Sequence, residues 1–221
     1  MQYLEALRKV PLFSSLTEDT LKEIVRLTEK RKVPKGRTIC LEGEKGDALY
    51  IVLSGKVRVV LFHDSKEYVL AIIEEGGFFG ELSLIDGLPR SASVEAVEDS
   101  EFLTVKRGDF LKLLKNNPDV SIEIMKTLCH RLRAADERIK GLAFLSVEGR
   151  VLSYLVDLAK KYGVKVKNYM IVEKPPSHSE IASFCGCARE TVSRAIKTLK
   201  KKNLLLGKRG QYVIFPPEEM V

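Results

Sequence analysis

Two side chains of opposite charge, Arg189 and Glu190, stand next to each other near the C-terminus, in the segment "CGCARETVSRAIKTLKKK". An arginine can donate two hydrogen bonds to O6 and N7 of guanine, and a glutamate can accept one from the N4 amine of cytosine. Ser193, Arg194 and Lys197 follow at the spacing that keeps side chains on one helix face. The pattern therefore predicts a helix that reads base edges in the major groove of DNA.

The elements that would position these side chains are a short helix, a tight turn and a second helix. Ser177 and Glu180, three residues apart, form the capping-box pattern with which a helix begins. Gly186 can take the positive φ that a tight turn between two helices needs. The second helix is predicted to begin near Ala188 and to bury an apolar stripe of Val192, Ala195, Ile196 and Leu199.

A hairpin after the two helices completes the pattern of a winged helix-turn-helix. It is predicted in "LLLGKRGQYVIF", with the turn at Gly207–Gly210, and a strand-like run, "KVKNYMIVEK", precedes the helix pair. Lysines at the end of the second helix and in the hairpin turn are suited to contacts with phosphates, although each charged residue could also belong to an ordinary solvated surface. The predicted DNA-contacting residues are Ser177, His178, Ser179, Arg189, Glu190, Thr191, Ser193, Arg194, Lys197, Lys200, Lys201 and Lys208.

The location of the net charge supports a polyanionic partner for this region. Residues 146–221 contain 14 Lys/Arg and 7 Asp/Glu, whereas residues 1–145 contain 23 of each, so the last third of the chain carries the whole net charge of +7. A basic module joined to a neutral one indicates nucleic-acid binding by that module. A basic surface without a partner is the alternative.

Composition and motifs argue against several other classes of protein. No apolar run approaches the roughly 18 residues that span a bilayer, and the N-terminus lacks the features of a signal peptide, so we expect a cytoplasmic protein without a membrane partner. The four cysteines lack metal-ligand spacing, so we predict no metal site. No nucleophile–base pair or paired-carboxylate motif indicates an enzyme.

The first two thirds of the chain divide into a β-rich part and a long helix. Short β-branched runs between turn residues predict about eight strands from 33 to 105, preceded by a helical pattern over residues 4–30. One helix is predicted from Pro118 to about Phe144. Its apolar residues recur at steps of three and four, as in a coiled-coil seam, although the helix could instead lie along its own barrel. The predicted dimerisation residues are Ile124, Leu128, Leu132, Ala135, Ile139 and Leu142.

Three motifs resemble those of the bacterial catabolite activator (cyclic-AMP receptor) and fumarate–nitrate regulator family. "GCARETVSRAIKTL" resembles its recognition element, "GLAFLSVEGRVLSYL" its hinge, and "FGELSLIDGLPRSASVEA" the phosphate-binding cassette of cyclic-nucleotide-binding barrels. The resemblance covers nearly the whole chain and implies an α+β fold. It implies a jelly-roll effector domain over residues 1–117, a dimerisation helix and hinge over 118–145, and a winged helix-turn-helix over 146–221.

The cassette resemblance assigns effector-binding roles to one short segment. Glu81 would accept a hydrogen bond from a ribose hydroxyl, and Arg90 would hold the cyclic phosphate in a bidentate contact. An internal Glu81–Arg90 ion pair that merely closes the barrel is the alternative. The implied effector-binding residues are Gly80, Glu81, Leu82, Ser83, Arg90, Ser91, Ala135 and Asp136.

Ala135 and Asp136 depart from the family pattern. They stand where cyclic-AMP receptors carry a Thr-Ser pair that holds the adenine, and Ala135 has no hydroxyl to offer the base. Asp136 could accept a hydrogen bond from an exocyclic amine. The cysteine ligands of the fumarate–nitrate branch are also absent, and His63 falls in a predicted hairpin turn rather than at a haem site. The departure leaves open cyclic AMP, a different ligand, or an empty pocket.

The function predicted from these features is a homodimeric, DNA-binding transcription regulator controlled by a small effector of the cyclic-nucleotide class, with no covalent cofactor. The alternatives are an effector-independent regulator whose pocket is empty or filled by side chains, and one that responds to a ligand other than cyclic AMP. The implied partners are double-stranded DNA with a palindromic TGTGA-like site, a second copy of the chain, and RNA polymerase near residues 160–167.

Overall fold

The computed structural model describes residues 5, 7, 8, 10–14, 16–64, 66–208 and 210–217. Internal contacts divide the chain into two compact units, residues 1–62 with 69–133 and residues 63–68 with 134–221. Each unit has its own apolar core. None of the helices among the described residues has the length and apolarity that crossing a membrane requires.

Helices flank two antiparallel sheets in the β-rich part of the chain. The sheets have the strand orders β1-β8-β3-β6 and β2-β7-β4-β5. A 3-10 turn at Pro11–Phe13 comes first, and the helices are α1 (Glu18–Arg26), α2 (Glu81–Asp86) and α3 (Arg107–Asn116). The strands are β1 (Thr28–Val33), β2 (Thr38–Cys40), β3 (Ala48–Ser54), β4 (Lys56–His63), β5 (Lys66–Glu74), β6 (Phe78–Phe79), β7 (Ser93–Ala96) and β8 (Ser100–Lys106).

The eight strands confirm the prediction, with one difference at the start of the first. Strand β1 begins at Thr28, inside the stretch over which a helical pattern was expected, and Thr28 pairs with Val105 of β8. The cross-strand pairing therefore overrides the local pattern. The space between the two sheets is filled by apolar side chains, among which the rings of Tyr50 and Phe79 stack with their centroids 4.9 Å apart.

The long helix α4 spans Pro118–Phe144, as predicted. The predicted dimerisation residues, however, differ in their surroundings along this helix. Ile124 is buried in the core of the first unit, and Leu128 packs against that core, so both side chains are occupied within their own chain. The other four, Leu132, Ala135, Ile139 and Leu142, are exposed.

The second unit has the element order of a winged helix-turn-helix. Its antiparallel sheet has the order β11-β12-β10-β9, and the core is formed by apolar residues of the helices and of this sheet. The elements are α5 (Val147–Tyr162), β9 (Val164–Val166), β10 (Tyr169–Glu173), α6 (His178–Cys185), α7 (Arg189–Lys201), β11 (Leu205–Lys208) and β12 (Gln211–Ile214).

Two glycines shape this unit in different ways. Gly186, with φ of 62°, makes the left-handed turn between α6 and α7, as predicted. Gly163 ends α5 in an extended conformation, not in the left-handed one that a C-terminal glycine usually takes. It is required for close approach instead, because a Cβ there would lie 2.6 Å from the carbonyl oxygen of Ile171.

Candidate functional site

The guanidinium of Arg90 lies inside the first unit, where only 6% of the residue is exposed. Backbone hydrogen bonds fix its loop, from Arg90 N to Glu44 O at 2.7 Å and from Gly43 N to Arg90 O at 2.9 Å. Its Nη1 donates to Gly80 O at 2.7 Å and to Ser83 Oγ at 3.0 Å. The predicted cassette residues Gly80, Ser83 and Arg90 are therefore brought together at the start of α2.

The positive charge of Arg90 is weakly compensated. Its Nη2 donates to Ala48 O at 2.8 Å, and its ion-pair partner is Asp47, whose Oδ1 is 3.7 Å from Nη2. The Asp47 side chain is 86% exposed. A buried charge is costly unless a close counter-charge offsets the lost hydration, so an anion bound beside Arg90 would be stabilised.

Two glycines allow the guanidinium to lie where it does. A Cβ at position 80 would come 2.5 Å from Arg90 Nη1, and a Cβ at position 46 would clash with Ser83 Oγ and lie 3.1 Å from Arg90 Cζ. Gly80 also has a φ of 87°, which favours glycine. The segment therefore packs backbone directly against the cation, leaving no room for additional side-chain atoms.

Glu81 is the most deeply buried acidic side chain of the cassette, with 1% of the residue exposed. Its Oε1 accepts a hydrogen bond from Nη1 of Arg131 on α4 at 2.7 Å. The other oxygen, Oε2, has no hydrogen-bond partner among the described residues. The internal Glu81–Arg90 ion pair considered from the sequence is therefore not formed, because Glu81 pairs with Arg131.

Arg131 is a site residue that the sequence reasoning missed. It also donates to Phe78 O, and its guanidinium lies 5.0 Å from the centroid of the Phe78 ring. The available signal was weak, namely an arginine on the long helix and a carboxylate in the cassette with no assigned partner. The contact joins residues 50 positions apart, which no local pattern reveals.

The remaining predicted effector-binding residues differ in their surroundings. Ser83 is buried and donates to Gly80 O at 3.3 Å, whereas Leu82 and Ser91 are exposed. Ala135 and Asp136 are exposed residues of α4 that belong to the second unit. Their part in binding an effector therefore stays a prediction.

The second unit exposes the predicted DNA-reading residues on its recognition helix, α7, and at the start of α6. The capping box is confirmed, with Glu180 N donating to Ser177 Oγ at 3.2 Å and Ser177 N donating to Glu180 Oε2 at 2.8 Å. The stripe predicted to be buried in α7 is buried, and the residues predicted to face DNA are exposed or half-buried. The exposed ones are Ser177, Ser179, Arg189, Glu190, Ser193, Arg194, Lys197, Lys200 and Lys201.

Three predicted DNA contacts need further comment. Thr191 is half-buried, and its Oγ1 accepts from Arg194 Nη2 at 3.3 Å. His178 is half-buried, with Nδ1 2.8 Å from Ser193 Oγ and Nε2 3.3 Å from the hydroxyl of Tyr212, a residue that the sequence reasoning did not single out. The side chain of Lys208 lies outside the described part of the chain, although its backbone belongs to β11.

The cysteines and histidines do not form a metal site in the described part of the chain, where no cluster of three or more potential ligands occurs. Burial raises the pKa of the Cys185 thiol to about 12, which suits a small packed side chain rather than a nucleophile or ligand. The side chain of His63 is 93% exposed at the end of β4.

Comparison with known proteins identifies both units. Residues 30–117 match the cyclic nucleotide-binding domain family, and residues 149–220 match the Crp-like helix-turn-helix domain family. The chain is 36% identical over 196 residues to the cyclic AMP receptor protein of Thermus thermophilus, and the match covers 88% of each chain. The chain belongs to the CRP/FNR family of transcription regulators.

Other CRP/FNR proteins agree with this assignment. The cAMP-activated global transcriptional regulator CRP of Escherichia coli O157:H7 is 31% identical over 208 residues, covering 90% of this chain and 95% of the relative. The crystal structure of the Thermus thermophilus catabolite activator protein aligns with a TM-score of 0.56 and 34% identity, covering 92% of this chain and 93% of that one. The predicted α+β fold and family are confirmed, and the chain is a regulator with a DNA-binding domain rather than an enzyme.

Proposed function

We propose that this CRP/FNR protein is a homodimer whose affinity for double-stranded DNA is controlled by a small anionic effector of the cyclic-nucleotide class. Two observations support an effector at this site. The charge of Arg90 is weakly compensated, and one oxygen of Glu81 has no hydrogen-bond donor among the described residues. A cyclic phosphate would supply the anion, and a ribose hydroxyl would supply the donor. Relatives described as cAMP-activated regulators support this ligand class.

Arg131 provides a route from the effector to the long helix. Its guanidinium is bonded to one oxygen of Glu81, and the proposed ligand hydroxyl would be bonded to the other oxygen of the same carboxylate. A ligand can shift a conformational equilibrium only through different affinities for the two states. In this proposal the difference arises because α4 holds Glu81 differently in the DNA-competent state.

A second copy of the chain would cover the exposed apolar face of α4. Ile122, Met125, Cys129, Leu132 and Ile139 are exposed on this helix, and the first four follow one another at steps of three or four residues. This spacing is typical of a two-helix seam. The proposed seam thus uses positions beside Ile124 and Leu128, whose side chains pack within their own chain.

In the proposed complex, two recognition helices α7 would enter successive major grooves about 34 Å apart, which requires a palindromic site. The family resemblance of Arg189, Glu190 and Arg194 suggests half-sites similar to TGTGA. Lys197, Lys200 and Lys201 would contact phosphates. RNA polymerase would be contacted near residues 160–167, which are suggested by family analogy alone.

Titration calorimetry with cyclic AMP and cyclic GMP tests the effector. We expect binding of one of these nucleotides to the wild-type chain and a large loss of that binding in Glu81→Gln, which keeps the shape of the side chain but removes the charge. Glu95→Gln is a matched control, because Glu95 is also paired with an arginine, Arg58, at 2.8 Å, but lies on β7. Tight DNA binding without any response to nucleotides would instead favour an effector-independent regulator.

Fluorescence anisotropy tests DNA reading with a duplex carrying two inverted TGTGA half-sites, whose centres are about 10 base pairs apart, against a scrambled duplex. The proposal requires the chain to prefer the TGTGA duplex in at least one condition, either with or without the two nucleotides. A wild-type chain that prefers neither this duplex nor any selected from a random library would contradict the proposed function.

The dimer seam is tested by light scattering of two matched variants. Leu132 and Leu88 are equally exposed, at 63% and 64%, but only Leu132 lies on α4. We expect Leu132→Glu to give monomers, because an unpaired charge in the seam is not solvated, and Leu88→Glu to remain dimeric. A Leu132→Glu chain that remains dimeric would show that the dimer seam lies elsewhere.

A further inference from the structure

Two hydrogen bonds connect the wing hairpin, β11–β12, to the recognition helix, and a third lies within that helix. The hydroxyl of Tyr212 on β12 lies 3.3 Å from Nε2 of His178, the first residue of α6. Nδ1 of His178 lies 2.8 Å from Ser193 Oγ on α7, and this hydroxyl is 3.2 Å from the carbonyl oxygen of Arg189. We call these bonds the wing relay, Tyr212–His178–Ser193–Arg189.

With a neutral imidazole, one arrangement of protons satisfies all three bonds of the wing relay. A carbonyl can only accept, so the Ser193 hydroxyl donates to Arg189 O and must accept from His178. His178 then carries its proton on Nδ1, which leaves Nε2 as an acceptor for the Tyr212 hydroxyl. The relay thus runs in one direction, from the wing to the backbone of a residue predicted to read guanine.

The relay also occupies the polar atoms with which these side chains would otherwise contact DNA. Both ring nitrogens of His178 have partners within the chain, and so has the Ser193 hydroxyl. Tyr212 lies opposite Gly207 in the hairpin, and its ring would be 3.6 Å from a Cβ at that position. The hydroxyl therefore anchors the wing close to its turn, which contains Gly210.

We propose that the wing relay positions the wing hairpin relative to the recognition helix, so that His178, Ser193 and Tyr212 act on DNA binding as positioning residues. This inference rests on the proposed reading of DNA by α7. It differs from the sequence expectation that His178 and Ser193 contact the nucleic acid directly. The two roles have different signatures, because losing a direct phosphate contact weakens binding to all sequences about equally, whereas losing a positioning bond weakens chiefly the binding of the specific duplex.

The test measures binding of four full-length variants to the inverted TGTGA duplex and to scrambled DNA, in whichever nucleotide condition supports wild-type binding. Tyr212→Phe removes one hydroxyl and keeps the ring, Ser193→Ala removes the other end of the relay, and the double variant removes both. Tyr169→Phe is the matched control, because Tyr169 lies on β10 of the same sheet and packs its ring against Phe215.

Each single relay variant should lose about two- to twelvefold in affinity for the TGTGA duplex, the value of one hydrogen bond, with little change for scrambled DNA. The double variant should lose no more than the weaker-binding single variant, because breaking the relay at either end already releases the wing. A fifth variant, Ser193→Thr, keeps the hydroxyl and should bind like the wild type, as should Tyr169→Phe.

Other outcomes overturn the proposal. Equal losses on both duplexes would mean direct phosphate contact. Additive losses in the double variant, or a lowered melting temperature without a change in the ratio of the two affinities, would mean separate or merely structural roles. A wild-type chain that prefers no duplex contradicts the proposed function instead.

A nitrogen-15 spectrum of the free protein tests the relay without DNA. The relay requires the neutral imidazole of His178 to carry its proton on Nδ1. Tyr212→Phe should shift the Nε2 resonance, because it removes the donor to that atom. A neutral ring protonated on Nε2 would overturn the relay, because Ser193 would then donate to His178 and lose its bond to Arg189.

Discussion

Replacing Arg131 with leucine tests how the buried carboxylate of Glu81 is held. The two side chains are joined by an ion pair of 2.7 Å, and the exposed fraction is 35% for Arg131 but 2% for Glu81. Arg131→Leu therefore leaves a charge that water cannot reach. Removing one partner of a buried pair costs about 3–5 kcal/mol, because the remaining charge is uncompensated.

The lower end of this range applies, because Arg131 is itself partly exposed and water screens the pair on that side. We therefore expect Arg131→Leu to lower the free energy of unfolding by about 3 kcal/mol at pH 7.

Urea unfolding of Arg131→Leu and of Arg131→Leu with Glu81→Gln measures this effect. The double variant should be more stable than the single one, because the charge is gone. Lys106→Leu, which breaks the exposed pair with Glu29, should change little. The reasoning is refuted if the double variant is the less stable one.

Three further predictions concern packing and the turn. Ile124→Ala should lower the free energy of unfolding by about 2–5 kcal/mol in urea titrations, because the side chain is buried, whereas Leu132→Ala should chiefly weaken the dimer in sedimentation runs. Gly186→Ala should cost about 1–2 kcal/mol and lower the melting temperature, because φ is 62° there. Cys185, whose pKa burial raises to about 12, should resist iodoacetamide at pH 8 and react in urea, as followed by mass spectrometry; modification of the native chain would contradict its burial.

The parts of the fold that were predictable carry short-range signals. The capping box of Ser177 and Glu180, the positive φ of Gly186 and the apolar spacing of α4 each involve residues within a few positions. Strand β1 was extended into residues 28–30 by pairing with β8, some 75 residues away in sequence, and no local pattern contains that information.

The same limit applies to the candidate sites. The motifs led to Glu81 and Arg90, but the partner of Glu81 is Arg131, and the partner of His178 on the wing is Tyr212, 34 positions away. Which apolar residues of α4 are exposed was also hidden, because Ile124 and Leu132 are both apolar and differ only in what packs on them. Residue types show which side chains are polar or apolar, but which residues each side chain contacts depends on the tertiary structure.

The close packing of Gly46 and Gly80 against Arg90 has a genetic consequence. One added methyl group at either position would push the guanidinium or its serine neighbour aside without altering any ionisable group. Under the proposed effector control, single-nucleotide changes that convert either glycine codon to alanine should abolish the response to the effector while the second unit stays folded. Such alleles would separate the targets that depend on the effector from any that do not.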